Sequence, residues 1–176
     1  MELDLASFGS LVTQAPIGAE GVLMLPFLNG ERVPALPNAS ATLSGLTSDN
    51  LSRANLCRAV LEGTVFGLRY GLDLLRASGL QSREIRLIGG AAKSSVWRQI
   101  VADIMATPLV CPQQTEAAAL GAAIQAAWSC GDGSLEQLCE RCVSLDLRTA
   151  TQPDPASSAA YEPVYQRYRQ QVMQLQ

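Results

Sequence analysis

The chain has 176 residues, of which 48% are hydrophobic, and it carries a formal net charge of -3 without any histidine. This size and composition favour one globular unit with a real core, and the scattered basic residues argue against nucleic acid as a partner. The lack of histidine excludes Ser-His and Cys-His nucleophile systems and histidine-containing metal sites.

Two further features indicate a cytoplasmic location. No apolar run approaches the ~20 residues that cross a bilayer, and residues 1–10 lack the pattern of a signal peptide, so no membrane partner is expected. The five cysteines are an odd number without an export signal, which indicates reduced thiols. Cys139 and Cys142 have the spacing of half a zinc site, but no second pair completes it, so ordinary thiols are preferred and no metal ligands are predicted.

The first 48 residues combine short elements with loops. A helix from about Leu3 should end before Pro16 and Gly18, and nothing before residue 21 resembles the first strand of a domain, so we expect a domain truncated at its start. Residues 21–28 form an apolar run that predicts a strand.

The loop predicted over residues 31–48 is rich in proline, glycine, serine and threonine. Its charged residues Glu31 and Arg32 either contact a substrate or partner, or belong to a solvated turn.

A long amphipathic helix is predicted from Asp49 or Ser52 to about Ala77. Its apolar face is formed by Leu61, Val65, Leu68, Leu72 and Leu75. Glycines recur every fourth residue at Gly63, Gly67 and Gly71, and each costs about 1 kcal/mol relative to alanine in a helix. We therefore expect a close neighbour at this face, with a second packed helix preferred over a bound ligand.

The central feature is the apolar strand predicted over residues 85–88, which leads into Gly89-Gly90 and then into a helix that Ser94 or Ser95 can cap. Glycine permits positive φ, and a helix N-terminus offers free amides to an anion. The pattern predicts a nucleotide-phosphate cradle, although a tight turn between strand and helix is the alternative. The spacing matches neither a P-loop nor a dinucleotide fingerprint.

The rest of the chain continues the alternation of strands and helices. The predicted elements are a strand at 108–111, a helix from 115–116, a helix at 135–142, a linker at 149–158 and a last helix at 159–175. Trp128 is expected to close the apolar face of the first of these helices, and three tyrosines of the last helix are expected to pack on the rest of the domain. This order predicts an α/β protein with at least two parallel strands and a ligand beyond their carboxyl ends.

Three stretches in fixed order resemble the FGGY family of carbohydrate kinases. The first is 25–34, with its Gly-Glu-Arg-x-Pro turn. The second is 41–46 together with 55–62, and the third is 89–104 followed by 116–123. The tail at 161–168 is also similar, so the resemblance spans nearly the whole chain. One departure is Ser40-Ala41, where many relatives have Arg-Gly, so no phosphate role is transferred to that loop.

The resemblance implies an actin-like, ribonuclease-H-like ATPase fold, with ATP and sugar in a cleft between two lobes. Residues 1–150 would form the C-terminal, nucleotide-binding lobe, and residues 151–176 a linker and a helix that packs on it. In similar kinases the residue that matches Gly90 lies against the nucleotide and the residue that matches Ser94 lies near its adenosine part, so the resemblance implies an adenosine-side contact on one wall of the cleft. The predicted nucleotide-binding set is Gly89, Gly90, Ala91 and Ser94.

The resemblance also implies what lies elsewhere. The family's catalytic aspartate, and the aspartate that organises Mg²⁺, fall upstream of this chain, so no catalytic residue is predicted here and the chain alone is predicted to be inactive. Asp103 is expected to be structural or solvent facing.

The complete protein would transfer the γ-phosphate of ATP to a sugar hydroxyl. A xylulose-like ketose is the expected sugar, with glycerol, ribulose and gluconate as alternatives. ATP, Mg²⁺, the sugar and an N-terminal lobe of the same kinase are the expected partners, and a homodimer stays open. The alternative is a non-enzymatic, actin-like ATP-binding or dimerisation module.

Overall fold

The computed structural model describes residues 4–175, which alternate between helices and short strands. The elements are α1 (Leu5–Gln14), β1 (Leu23–Leu25), β2 (Thr42–Ser44), α2 (Arg53–Ala77), β3 (Ile85–Arg86), α3 (Ser95–Met105), β4 (Leu109–Pro112), α4 (Ala117–Ser129), α5 (Leu135–Cys142), β5 (Leu145–Thr151) and α6 (Pro155–Met173). Within this range, no helix combines the length and apolar character needed to cross a bilayer.

Most helices begin where a side chain can accept a hydrogen bond from the first turn. Asp4, Ser52, Ser94, Ser134 and Asp154 each accept from a backbone N–H three residues later. Such caps satisfy amides that have no partner inside the helix. The predicted cap of α3 at Ser94 is confirmed, whereas the predicted start of α1 near Leu3 lies outside the described residues.

The strands form two sheets. β1 pairs antiparallel with β2, while β4 lies between β3, which is parallel to it, and β5, which is antiparallel. The predicted parallel pair is confirmed, with Ile85 opposite Leu109. Helices flank this mixed sheet, as the α/β prediction requires.

Two strands occur where the sequence predicts irregular chain. β2 falls inside the loop predicted over 31–48, and β5 extends into the linker predicted over 149–158. β5 is an edge strand with polar side chains and with Leu147 76% exposed, so it lacks the alternation of a half-buried strand. Because α6 begins at Pro155, only residues 152–154 connect it to β5. The division of the chain at residue 150 stays a prediction.

The C-terminal helix packs against α2 through aromatic rings. Tyr161, Tyr165 and Tyr168 are almost fully buried, as predicted, and their ring centroids lie 6.2, 5.8 and 5.6 Å from that of Phe66. Aromatic pairs at these separations add to the free energy gained by burial.

A buried ion pair joins three helices. Arg58 Nε donates to Glu62 Oε1 at 2.7 Å, and both residues belong to α2. The Arg58 guanidinium also donates to the Ala15 carbonyl at 2.9 Å and to the Tyr161 hydroxyl at 2.7 Å. Glu62 Oε1 accepts from the Gly18 amide, while Glu62 Oε2 is buried without a protein partner among residues 4–175. Burial raises the pKa of Glu62, although Arg58 opposes that shift.

Only one of the three α2 glycines faces the expected packed helix. A Cβ at Gly63 would collide with the Met24 carbonyl of β1, and one at Gly67 would lie 3.3 Å from the Tyr168 hydroxyl of α6. A Cβ at Gly71 would meet nothing within 4 Å. The expectation of one packed helix is therefore wrong at Gly63, where a strand backbone makes the close approach.

The predicted apolar faces extend further than the observed core. Leu68 and Leu75 are 56% and 54% exposed, because the core neighbours of α2 lie beside its first half, around Leu61 and Val65. Trp128 is likewise 52% exposed and does not close a buried face of α4.

We predict opposite effects for alanine at two α2 glycines. Both substitutions gain about 1 kcal/mol of helix propensity, but only Gly63→Ala forces a Cβ into the Met24 carbonyl. Thermal unfolding should show a lower Tm for Gly63→Ala and a higher Tm for Gly71→Ala. Equal shifts of the same sign would contradict the close approach of α2 and β1.

A second prediction concerns the tyrosines of α6. Tyr161→Phe leaves a buried donor of Arg58 without its acceptor, which should cost about 1–3 kcal/mol of unfolding free energy in denaturant titrations. The matched control is Tyr165→Phe, which frees a carboxylate oxygen of the more exposed Asp73. The control should be milder, and a larger loss from Tyr165→Phe would refute the importance of the buried pair.

Candidate functional site

The glycine turn follows β3 directly. The Leu87 amide donates to the Val110 carbonyl at 3.0 Å, which keeps the chain beside β4 just beyond Arg86. Gly89 then adopts φ 91° and ψ -176°, a conformation that residues with a Cβ rarely adopt. No atom lies within 4 Å of the place where its Cβ would stand, so the backbone, and not crowding, requires glycine here.

A short 3-10 turn separates the glycines from α3. Residues 90–93 form this turn, in which the Ala92 amide donates to the Gly89 carbonyl and the Ser94 amide to the Ala91 carbonyl. Within the described chain, the amides of Gly90 and Ala91 have no acceptor. Two neighbouring free amides at a turn are suited to an anion.

A cavity of about 340 Å³ opens at the carboxyl ends of β3 and β4. Open α/β sheets bind ligands at this edge. Its walls come from the glycine turn, from the connection between β4 and α4, from α3 and from β5, and they comprise Leu87, Ile88, Gly89, Ala92, Lys93, Arg98, Cys111, Pro112, Gln113, Gln114, Thr115, Asp146 and Thr149.

A second cavity, of about 420 Å³, lies on the other side of the turn. It is lined by Lys93, Ser94, Ser95 and Val96, and by small residues of α1. The predicted nucleotide-binding set is therefore divided: Gly89 lines the first cavity and Ser94 lines the second, with the Ser94 hydroxyl accepting from the Trp97 amide at 3.3 Å. Gly90 and Ala91 belong to the turn between them, and Lys93 lines both cavities.

The wall of the first cavity that β5 provides carries the carboxylate of Asp146, which Arg148 holds in place. Arg148 donates to Asp146 at 2.8 and 3.0 Å, and these hydrogen bonds lower the pKa of Asp146, with Arg98 adding a smaller Coulombic effect. The Thr149 hydroxyl donates to the Asp146 carbonyl and accepts from the Cys111 amide. Sequence reasoning missed these residues because it placed no strand over 145–151; the threonines at 149 and 151 were the available signal.

Asp103 is a structural residue, as predicted. It is buried, and its Oδ1 accepts from the Asp154 amide at 2.7 Å and from Gln99 Nε2 at 2.8 Å. Asp103 thereby fixes α3 to the chain that starts α6, and it does not line either of the two cavities.

Glu31 belongs to a local turn. Its carboxylate accepts from the amides of Arg32 and Val33 at 2.6 and 3.0 Å, which favours the solvated-turn interpretation over a substrate contact. All five cysteines are free thiols. Among the described residues, no three metal-ligating side chains gather in one place.

The model of the C-terminal domain of the FGGY family of carbohydrate kinases matches residues 4–130. The chain belongs to this family. The membership confirms the resemblance seen in the sequence and does not favour the non-enzymatic alternative.

Two curated relatives illustrate the similarity. The chain is 51% identical to a xylulose kinase of Haemophilus influenzae over 99% of its own length and 36% of that protein. It is 37% identical to a xylulose kinase of Escherichia coli over 92% of its own length and 33% of that protein. The chain thus spans about a third of the relatives that it matches.

Solved structures agree on the fold. A ligand-bound xylulose kinase and a gluconate kinase, both from Lactobacillus acidophilus, superpose with TM-scores of 0.84 and 0.83 at 28% identity, over 94% of this chain and 33% of theirs. A Plasmodium falciparum glycerol kinase with ADP shares the fold, with a TM-score of 0.74 and 23% identity. The match covers 96% of this chain and 34% of the glycerol kinase chain. The predicted C-terminal lobe of the actin-like ATPase fold is confirmed.

Proposed function

We propose that this chain binds ATP in the cavity at the carboxyl ends of β3 and β4, as part of a cytoplasmic kinase that transfers the γ-phosphate to a sugar hydroxyl. The observation that carries the proposal is the glycine turn beside this cavity, in a domain of the carbohydrate-kinase family. Phosphoryl transfer depends on positioning and on neutralising phosphate charge, and this turn serves the nucleotide side of that task.

The residues present fit a nucleotide. The cavity volume lies within the range of small-molecule sites. Leu87, Ile88 and Pro112 offer apolar surface for a base, while Lys93 offers positive charge for phosphate. Of the predicted contacts, Gly89 on the cavity wall has the strongest support, followed by the free amides of Gly90 and Ala91; Ser94 has the weakest, because its side chain caps α3.

We infer that the sugar is a xylulose-like ketose. The support is the identity to proteins named xylulose kinase, while the similar gluconate and glycerol kinase structures keep those substrates, and ribulose, as alternatives. The catalytic carboxylate and most ligands of Mg²⁺ would come from an N-terminal lobe of the same kinase. A homodimer stays a prediction.

The nucleotide site predicts a selective effect at Gly89. Valine at Gly89 places a branched side chain at the cavity wall and strains the backbone, so calorimetry on the 176-residue chain should show ATP affinity reduced at least about tenfold, or 1.4 kcal/mol. The matched control is Gly79→Val, since Gly79 also has positive φ and open space around its Cβ position but follows α2. The control should keep the wild-type Kd, and equal ATP affinity in all three proteins would refute the site.

The activity is tested in a hybrid protein. The chain replaces the matching 36% of the Haemophilus influenzae xylulose kinase, and the hybrid is assayed for ATP-dependent phosphorylation of xylulose, with a panel of polyols and gluconate for comparison. We expect the hybrid to phosphorylate xylulose and the 176-residue chain alone to show no turnover. A folded hybrid that binds xylulose and ATP without phosphorylation would contradict the proposed function, and turnover by the chain alone would contradict the placement of the catalytic carboxylate elsewhere.

A further inference from the structure

Arg98 is a cavity residue that sequence reasoning did not select. It lies in the first turn of α3, and its Nη1 donates a hydrogen bond to the Ala92 carbonyl at 2.7 Å. The Cys111 thiol of β4 approaches the same carbonyl oxygen at 3.9 Å. The Ala92 carbonyl is therefore held from α3 and approached from β4.

The remaining part of the Arg98 side chain faces the ligand cavity. Arg98 lines that cavity together with Lys93, and its Nε is buried without a hydrogen-bond partner in residues 4–175. Asp146 on the opposite wall is already paired with Arg148. Arg98 thus has one donor committed to the turn, and it keeps its charge beside the space assigned to the nucleotide.

The hydrogen bond to Ala92 fixes more than one carbonyl. A peptide group is planar, so the Ala92 carbonyl and the Lys93 amide point in opposite directions and turn together. Ala92, Arg98 and Cys111 all line the cavity. Without the Arg98 donor, the Ala92 carbonyl oxygen would present its partial negative charge to a phosphate in the cavity, and the peptide that leads into Lys93 would be free to rotate. Arg98 neutralises this oxygen and holds the peptide from a helix that is itself anchored through Asp103.

We propose that Arg98 is a positioning residue for the phosphates of the nucleotide. It holds the Ala92–Lys93 peptide so that the free amides of Gly90 and Ala91, together with Lys93, meet the anion without a competing carbonyl. The proposal rests on the proposed function of this cavity and assigns the base and ribose to other walls. Arg98 therefore acts on the phosphates of ATP and leaves adenosine binding unchanged.

The test compares Arg98→Met and Arg98→Lys with a matched arginine elsewhere. Arg76 of α2 also donates to a backbone carbonyl, that of Met105 at 3.2 Å, and to the Thr107 hydroxyl at 2.9 Å, but it does not line the cavity. For each 176-residue variant, calorimetry gives the Kd for ATP and for adenosine, and thermal unfolding gives the Tm. The Kd values are measured well below each Tm, so that only folded protein is titrated.

We expect Arg98→Met to weaken ATP binding about tenfold, which matches the loss of one hydrogen bond from a charged donor, and to leave the adenosine Kd unchanged. Arg98→Lys should recover part of the ATP affinity, since an ammonium group can still donate to the Ala92 carbonyl. Arg76→Met should lower the Tm while both Kd values stay within about twofold of wild type, below the 1.4 kcal/mol of a tenfold change. Should Arg98→Met fail to fold, Arg98→Lys carries the comparison.

Three outcomes would overturn the proposal. If Arg98→Met binds ATP with wild-type affinity while Gly89→Val binds it more weakly, Arg98 has no positioning role but the nucleotide site is still supported. Equal losses for ATP and adenosine in Arg98→Met indicate general damage to the cavity. Unchanged ATP affinity in both Gly89→Val and Arg98→Met refutes the proposed function itself.

Discussion

The buried pair of Arg58 and Glu62 is the contact on which the rest of the chain depends. Arg58 donates to the end of α1 at Ala15 and to Tyr161 of α6, and Glu62 accepts from the Gly18 amide. Removing ions from water is costly, and the hydrogen bonds to Arg58 and to Glu62 Oε1 offset part of that cost, whereas losing one partner would leave the other charge buried and unpaired. A charged pair at 2.7 Å with Glu62 only 1% exposed therefore requires α1, α2 and α6 to stay together.

The packing of α1, α2 and α6 determines where the glycine turn lies. α6 packs against α3 as well as α2, and Asp103 of α3 accepts from the Asp154 amide at the start of α6. Because α3 begins directly after the turn, its anchoring fixes the C-terminal end of the turn, while the parallel pairing of β3 with β4 fixes the other end. The cavity forms between these two fixed points, and its far wall is the edge strand β5.

The sequence predicted what depends on local chemistry. The cap at Ser94 could be predicted from one residue, and the glycine turn could be predicted because residues with a Cβ rarely adopt the backbone conformation of Gly89. The fold followed from the order of elements and from the family resemblance. The cap at Asp154 was missed, because its proline and serine neighbours are typical of a linker and the segment 149–158 was predicted as one.

Features that depend on distant contacts were missed. β5 is an edge strand with polar residues, so no hydrophobic pattern in the sequence indicates that it pairs with β4. Because β5 was not predicted, the cavity residues Asp146 and Thr149 were not predicted either. A helix was predicted to pack at Gly63, where the structure has the Met24 carbonyl of β1. The spacing of the glycines indicates that another part of the chain comes close to α2, but it does not identify that part. Arg98 lies in a stretch that carries the family resemblance, but the sequence assigns it no role, since that role depends on the distance from its guanidinium to the Ala92 carbonyl.

The nucleotide site at the glycine turn is tested by locating bound nucleotide on the chain. Amide chemical shifts of the ¹⁵N-labelled 176-residue protein are followed during titration with ADP. We expect the largest changes on Gly89, Gly90 and Ala91 and on residues 113–115 across the cavity. Changes confined to α4 and α5, or saturating ADP without changes at the glycine turn, would contradict the nucleotide site.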